Sequence, residues 1–200
     1  TIKLFGIRLK PWGLRAFIEI NVKTIKDQFL PLFSVFNEKE ILEIERKLSS
    51  AELENGIDLL KEFMLEKFDS TKIEKDRSFI PYLSSLYMNP VGVDVSTVIK
   101  SSNYSQRQFE RKCSDLVGLS AKKLSKIARF NQVRLKMLFN PTVDLNDCMI
   151  EFGYFDYSHF SKDFKECLGI TPNDYKKWVT NREEFFNLNQ NHVVFLQDES

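Results

Sequence analysis

Glycine and proline are scarce in this chain, 7 and 6 among 200 residues, and that scarcity favours helices over turn-rich folds. No apolar run approaches the roughly eighteen residues that a membrane-spanning helix needs, and no secretory signal pattern opens the chain. The first residue is Thr1 rather than Met, so the sequence reads as a fragment or a processed chain with a region upstream. Cysteines are few: Cys113, Cys148 and Cys167. Their number is odd, their spacing suits no metal, and all fall on predicted helices. They read as buried, reduced thiols of a cytoplasmic protein, with redox sensing as the alternative. Gly-rich phosphate loops and paired catalytic carboxylates are missing, and neither histidine has the partner spacing of a zinc site or a catalytic triad. An enzyme is therefore not expected, and neither a cofactor nor a metal.

What the chain does have is phenylalanine, enough apolar residues for a real core, and an uneven charge. Residues 1–70 hold 11 basic and 12 acidic residues, residues 71–180 hold 17 and 12, and residues 181–200 hold 1 and 4. The central segment is the positive one, as a partner carrying phosphates would require.

Taken in order, Ile2–Lys10 largely alternates apolar and polar residues, which predicts a strand ended by Pro11. Trp12–Phe17 starts a short helix, and Asn21–Leu30 is loop or weak strand. Asn37 caps a helix with Ile41, Ile44 and Leu48 on its apolar face. Ser50 caps a second, running to Phe68, with Leu53, Ile57, Leu60, Phe63, Met64 and Phe68 as its stripe. The pair reads as a helical hairpin, either core or dimer interface. The short polar stretch Asp69–Lys72 is the expected boundary. Helix returns between Ile73 and Met88, kinked at Pro81 or beginning there. Thr171-Pro172 opens a last helix to about Val179. A tail follows with Phe185, Phe186 and a predicted strand, His192–Gln197, expected to fold back onto the N-terminal segment.

Between these parts one helical unit occurs twice. Ser105-Gln106-Arg107-Gln108-Phe109 opens a helix ending at Gly118, and Asp156-Tyr157-Ser158-His159-Phe160 opens one ending at Gly169. Cap, phenylalanine and glycine fall at matching positions. A short helix precedes each copy, Val95–Asn103 and Leu145–Phe152. Ser120–Phe139, free of Gly and Pro, is a helix long enough to join the copies. Two short helices, the second well capped and polar in its first turn, is how a helix-turn-helix reads.

The stretch Gly153-Tyr154-Phe155-Asp156-Tyr157-Ser158-His159-Phe160-Ser161-Lys162-Asp163-Phe164-Lys165, then Gly169-Ile170-Thr171-Pro172 and Tyr175, resembles the signature of AraC/XylS-type bacterial transcription regulators. Arg129 and Phe130 stand where that family places an Arg-apolar pair. The resemblance covers about residues 72–180. It implies a mainly α fold: two helix-turn-helix units joined by a long bridge helix, with a small α+β N-terminal segment. It divides the chain into residues 1–70, a partial sensing or dimerisation segment; residues 72–180, the double helix-turn-helix; and the tail, 181–200. It implies double-stranded DNA as partner, with RNA polymerase, a small-molecule effector and a second copy of the chain as further candidates. No membrane is expected.

The first turns of a recognition helix meet base edges. In the first copy that face is Gln106, Arg107, Glu110 and Arg111. Arg can bind guanine through two bonds and Gln can bind adenine likewise, while Glu110 either accepts from cytosine or orients an arginine. In the second copy the face is Tyr157, Ser158, Ser161 and Lys162, with His159 beside it for a phosphate contact or a structural role. The bland alternative at each is a solvated helix face. A sequence-specific regulator under ligand control leads. An interaction module that keeps the fold without specific DNA binding is the alternative.

Overall fold

The structure, a computed structural model, describes residues 4–26 and 28–189, with side chains as far as residue 181. Helix is the regular structure among them. The chain forms two compact units: one takes the chain up to Ser85 together with Val95–Ala121, the other Leu86–Asp94 together with the chain from Lys122 onward. The described residues before 70 thus group with the first repeat in one compact unit.

The first unit holds α1 (Glu38–Ser50), α2 (Leu53–Lys67), most of α3 (Ile80–Met88), α4 (Val95–Ser101) and α5 (Gln106–Val117). Asn37 caps α1, its side chain accepting from the Lys39 N–H at 3.0 Å, and Glu38 and Glu40 sit at the positive end of the helix. Ser50 does not cap α2. Its hydroxyl turns back to the carbonyls of Arg46 and Lys47, so it closes α1, and Glu52 precedes α2 without a side-chain cap. The two helices pack together, with Lys67 on Glu40 at 2.6 Å. On α2 the expected stripe is only half-buried at Ile57, Leu60, Phe63 and Met64, and exposed at Leu53 and Phe68.

No strand forms over residues 4–10. A strand needs a hydrogen-bonded neighbour, and the described residues offer none. Leu4 and Ile7 are exposed, and only Phe5 packs closely: its ring lies where a Cβ on Gly56 would be, 2.3 Å from its Cε1. Between Trp12 and Phe17 the chain makes one 3-10 turn, Leu14–Ala16, and residues 22–26 are turns and a bend. The helix expected from Ile73 is a 3-10 segment, Ser70–Asp76, followed by turns. α3 begins only at Ile80, so Pro81 stands in a first turn, where its missing N–H costs nothing. Phe79, Leu83, Phe109 and Cys113 are fully buried, and the Phe79 ring meets Phe109 edge-on at 4.8 Å and Tyr104 at 5.4 Å.

The second unit is built on α6 (Ala121–Phe139), whose first residue belongs to the first unit, with α7 (Leu145–Glu151), α8 (Tyr157–Leu168) and α9 (Pro172–Asn189). Its core joins Phe130, Val133 and Met137 of α6 to Phe160 and Phe164 of α8, with Phe152, Tyr154, Tyr175 and Val179 around them. Along α6, Leu124 and Ala128 are buried and Ile127, Leu135 and Leu138 half-buried, while Phe130, Val133 and Met137 carry the packing. The last helix does not stop near Val179 but reaches Asn189, with no Gly or Pro between to break it. The strand predicted at His192–Gln197 lies outside the described residues.

Candidate nucleic-acid interface

Each recognition helix owes its start and its end to residues at matching places. At α5 the Ser105 hydroxyl accepts from the Gln108 N–H at 3.3 Å while the Gln108 side chain accepts from the Ser105 N–H at 2.9 Å, a reciprocal capping box. At α8 the Asp156 carboxylate accepts from the His159 N–H at 2.7 Å. Both helices end on a glycine at φ +79°, Gly118 and Gly169, a conformation that a side chain would strain. Phe109 and Phe160, four residues after each cap, are fully buried. With caps and phenylalanines fixed, the rotation of each helix follows, and residues two and six after the cap turn outward.

On α5, Gln106, Arg107 and Arg111 are exposed, and for none of them does an ion pair or side-chain hydrogen bond occur among the described residues. Two arginines one turn apart thus stand on one exposed face. Glu110 is different. It is half-buried, and its Oε2 accepts from the Ala121 N–H at 3.1 Å, which caps the start of α6. That bond ties the recognition helix to the next helix and takes up one carboxylate oxygen. The expectation that Glu110 reads cytosine or orients an arginine competes with this tie.

On α8, Ser158 and Lys162 are exposed and Ser161 is half-buried. Tyr157 is exposed, but its hydroxyl accepts from the Asn173 Nδ2 at 2.8 Å and its ring meets Phe160 at 6.3 Å. His159 is half-buried with its ring edge-on to Tyr154 at 5.2 Å, a packing role beside the expected phosphate contact. The start of α9 at Thr171 has a box of its own: the Thr171 hydroxyl donates to Asp174 Oδ2 at 2.5 Å and accepts from the Asp174 N–H at 3.1 Å. The hydroxyl bond and the Thr171 N–H hold the Asp174 carboxyl below its ordinary pKa.

Sequence reasoning did not single out what holds α8 in place. Asp163, 1% exposed, lies 2.7 Å from the Lys126 ammonium and accepts from Arg129 at 3.2 Å. One turn on, Glu166 is bonded to Lys123 and, at 2.6 Å, to Lys126. Hydrogen bonds from Lys123 and then Lys126 pull the Glu166 carboxyl down to about 2. Burial alone would lower the Lys126 pKa, but its bonds to Asp163 and Glu166 outweigh burial and raise it. Arg129, singled out by the family resemblance, also lies over the Tyr154 ring at 4.4 Å. The signal for this network was in the spacing: Lys123, Lys126 and Arg129 recur every three residues, and so do Asp163 and Glu166.

The cysteines serve packing. Cys113 and Cys148 are buried, and burial, with the Glu110 charge adding, pushes the Cys113 thiol up to about 12. Among the described residues no group of three His, Cys, Asp or Glu side chains is placed to hold a metal, and no helix is long and apolar enough to cross a membrane.

A family profile described as a helix-turn-helix domain matches residues 99–177, which takes in both α5 and α8. No curated protein and no solved structure matches the chain. Two capped helices over buried phenylalanines, each preceded by a short helix, agree with that match. Residues 99–177 therefore form an AraC/XylS-type helix-turn-helix domain, which supports DNA binding in general.

Proposed function

We propose that this regulator reads two different half-sites in the major groove, one through α5 and one through α8. The observation that carries the reading is the pair Arg107 and Arg111, exposed, unengaged among the described residues and one turn apart on a capped helix. An arginine so placed suits guanine, and Gln106 beside them suits adenine. On α8 the matching positions are Ser158, Ser161 and Lys162. Tyr157, whose hydroxyl accepts from Asn173 and keeps its own O–H to donate, stands beside them. His159 and Lys162 are assigned to phosphates and Glu110 to positioning. The two faces differ in chemistry, so the half-sites are not palindromic.

The helix α6 is the ruler in this reading. Nineteen residues at about 1.5 Å each give roughly 28 Å, near the rise of one turn of B-DNA at about 34 Å. Control by a small molecule belongs to the first unit. There a cavity of about 530 Å³, bordered by Arg15, Ile18, Asn21, Lys72, Lys75 and Asp115, is the place we assign to an effector.

Selection from a random DNA pool, followed by mobility shifts with the selected site, tests the reading. Arg107→Ala is expected to cost about 1–3 kcal/mol at the selected site and to relax the preference at one base pair. An equal loss on random DNA refutes base reading by Arg107. Inserting about five base pairs between the half-sites turns the second to the far side of the duplex and is expected to abolish most specific binding. Tolerance of the insertion means that one helix alone reads DNA. A selection that yields no preferred sequence favours the interaction module without specific DNA binding.

A further inference from the structure

The two repeats align residue for residue with an offset of 51, set by Ser105 and Asp156, Phe109 and Phe160, Gly118 and Gly169. That alignment puts Lys112 opposite Asp163 and Asp115 opposite Glu166. All four are ionic anchors, and the charge at the first position is inverted. In the second unit the partners of Asp163 and Glu166 all lie on α6. In the first unit the partners of Lys112 and Asp115 come from a different source. Lys112 faces Asp76 at 3.9 Å, Asp76 faces Arg15 at 3.5 Å, and Asp115 is bonded to Lys23 at 2.5 Å. Arg15, Lys23 and Asp76 all precede the matched domain. A further contact has the same origin: a Cβ on Gly118, the residue that ends α5, would lie 3.2 Å from the Val22 carbonyl oxygen.

We propose that the segment 15–23 and Asp76 position the first recognition helix, so that the N-terminal segment sets what Arg107 and Arg111 read without touching DNA. This rests on the reading of α5 as a recognition helix. Asp76 is the central positioning residue. It is 8% exposed, and its Oδ2 has no hydrogen-bond donor, so its charge is balanced by two cations at a distance. One cation belongs to the segment and one to α5. A buried carboxylate held this way favours whatever placement keeps both cations near. Lys112 is further fixed over the rings of Tyr104 and Phe79, at 5.5 and 5.7 Å, so α5 moves with it. Lys23 on Asp115 and Val22 on Gly118 hold the far end of the same helix. Bidentate guanine contacts tolerate only a few tenths of an ångström, so a small tilt of α5 changes base preference before it breaks the fold.

The test is a charge exchange. Lys23→Asp and Asp115→Lys are made singly and together in the full chain, beside Asp76→Asn, and each protein is put through the random-pool selection with a thermal melt alongside. Each single exchange is expected to cut the preference at the α5 half-site about two- to fivefold, the size of an exposed ion pair, and to leave the α8 half-site unchanged. The double exchange is expected to restore it. Asp76→Asn should act in the same direction. Should that variant fail to fold, the half-exposed pair Lys23–Asp115 still decides the matter. Equal losses at both half-sites, no loss at either, or no rescue by the double exchange overturns the proposal. A wild-type protein that selects no sequence overturns the reading of α5 itself, and is told apart because it needs no variant.

Discussion

Both α5 and α8 run twelve residues from a capped start to a left-handed glycine, and each sets a phenylalanine into a core. What holds them differs. Asp163 on α8 is buried against two cations at 2.7 and 3.2 Å, close enough for hydrogen bonds. Asp76, which holds α5 through Lys112, stands 3.5 and 3.9 Å from its two cations, with one carboxylate oxygen unbonded. The α8 mounting is drawn from α6 and its buried pair is short. The α5 mounting is drawn from residues that precede the matched domain, and its buried pair is long. Caps are written into four or five consecutive residues, so repetition of a sequence repeats them. Mountings are tertiary, and a repeat can exchange them while its caps stay the same.

The comparison breaks hardest at the two buried carboxylates. Asp163→Ala removes the counter-charge of Lys126 and Arg129, both about one-fifth exposed. The expected loss of stability is about 3 kcal/mol in urea unfolding, the low end for a broken buried pair because water still reaches the cations. Asp76→Ala removes a longer and weaker arrangement, and about 1–2 kcal/mol is expected. Losses of equal size would mean that distance does not separate the two mountings.

These carboxylates also mark where the sequence was legible and where it was not. Ser105, Asp156, Phe109, Phe160, Gly118 and Gly169 announce the two helices because each acts within a turn or two of itself. The match over residues 99–177 agrees with the reading made from them. Lys112 and Asp163 were visible as charges, but nothing local tells which charge meets which across 34 or 36 residues of chain. The N-terminal strand failed for a related reason. Alternation at Ile2–Lys10 states only that one face wants burial, and Phe5 found it on Gly56 instead of in a sheet. Glu110 was singled out for its place on the exposed face of a helix, and the N–H of Ala121, eleven residues on, competes for it. At the chain's other end the helix runs past Val179 to Asn189, since no Gly or Pro stands there to stop it.

A second difference between the repeats sharpens the comparison at lower amplitude. Glu110 on α5 caps α6 by a bond to the Ala121 N–H, whereas the equivalent residue on α8 is Ser161. Glu110→Ala is expected to cost about 1 kcal/mol, the usual cost of an uncapped helix start, and Ser161→Ala a few tenths. Unfolding by urea measures both. Because Glu110 also raises the Cys113 pKa by its charge, the same variant should make Cys113 slightly more acidic, although burial, the larger cause, remains. If Glu110→Ala leaves stability unchanged but shifts a selected base pair, the residue reads DNA after all and the cap is incidental.

The smallest effect is the dependence on acid of the outer pair of the α8 mounting. Glu166 has its carboxyl pulled down to about 2 by the ammonium groups of Lys123 and Lys126. In the unfolded chain a glutamate titrates near 4.3. The folded value lies below the unfolded one, so the folded state binds this proton less readily. The stability that Glu166 contributes is fully present above roughly pH 4.3 and is lost as pH falls towards about 2. Glu166→Gln should therefore weaken the protein slightly at neutral pH and flatten its loss of stability across that acid window. Because the carboxylate is 40% exposed, added salt should reduce the difference between variant and wild type. Lys126 works at the other end of the scale. Its folded pKa is raised, so its contribution holds below the unfolded value near 10.4 and fades as pH rises through the folded one. Urea unfolding at several pH values, with and without salt, follows both limbs. An acid limb identical in wild type and Glu166→Gln would show that the outer pair adds nothing. The α8 mounting would then rest on Asp163 alone, a single buried carboxylate held by α6.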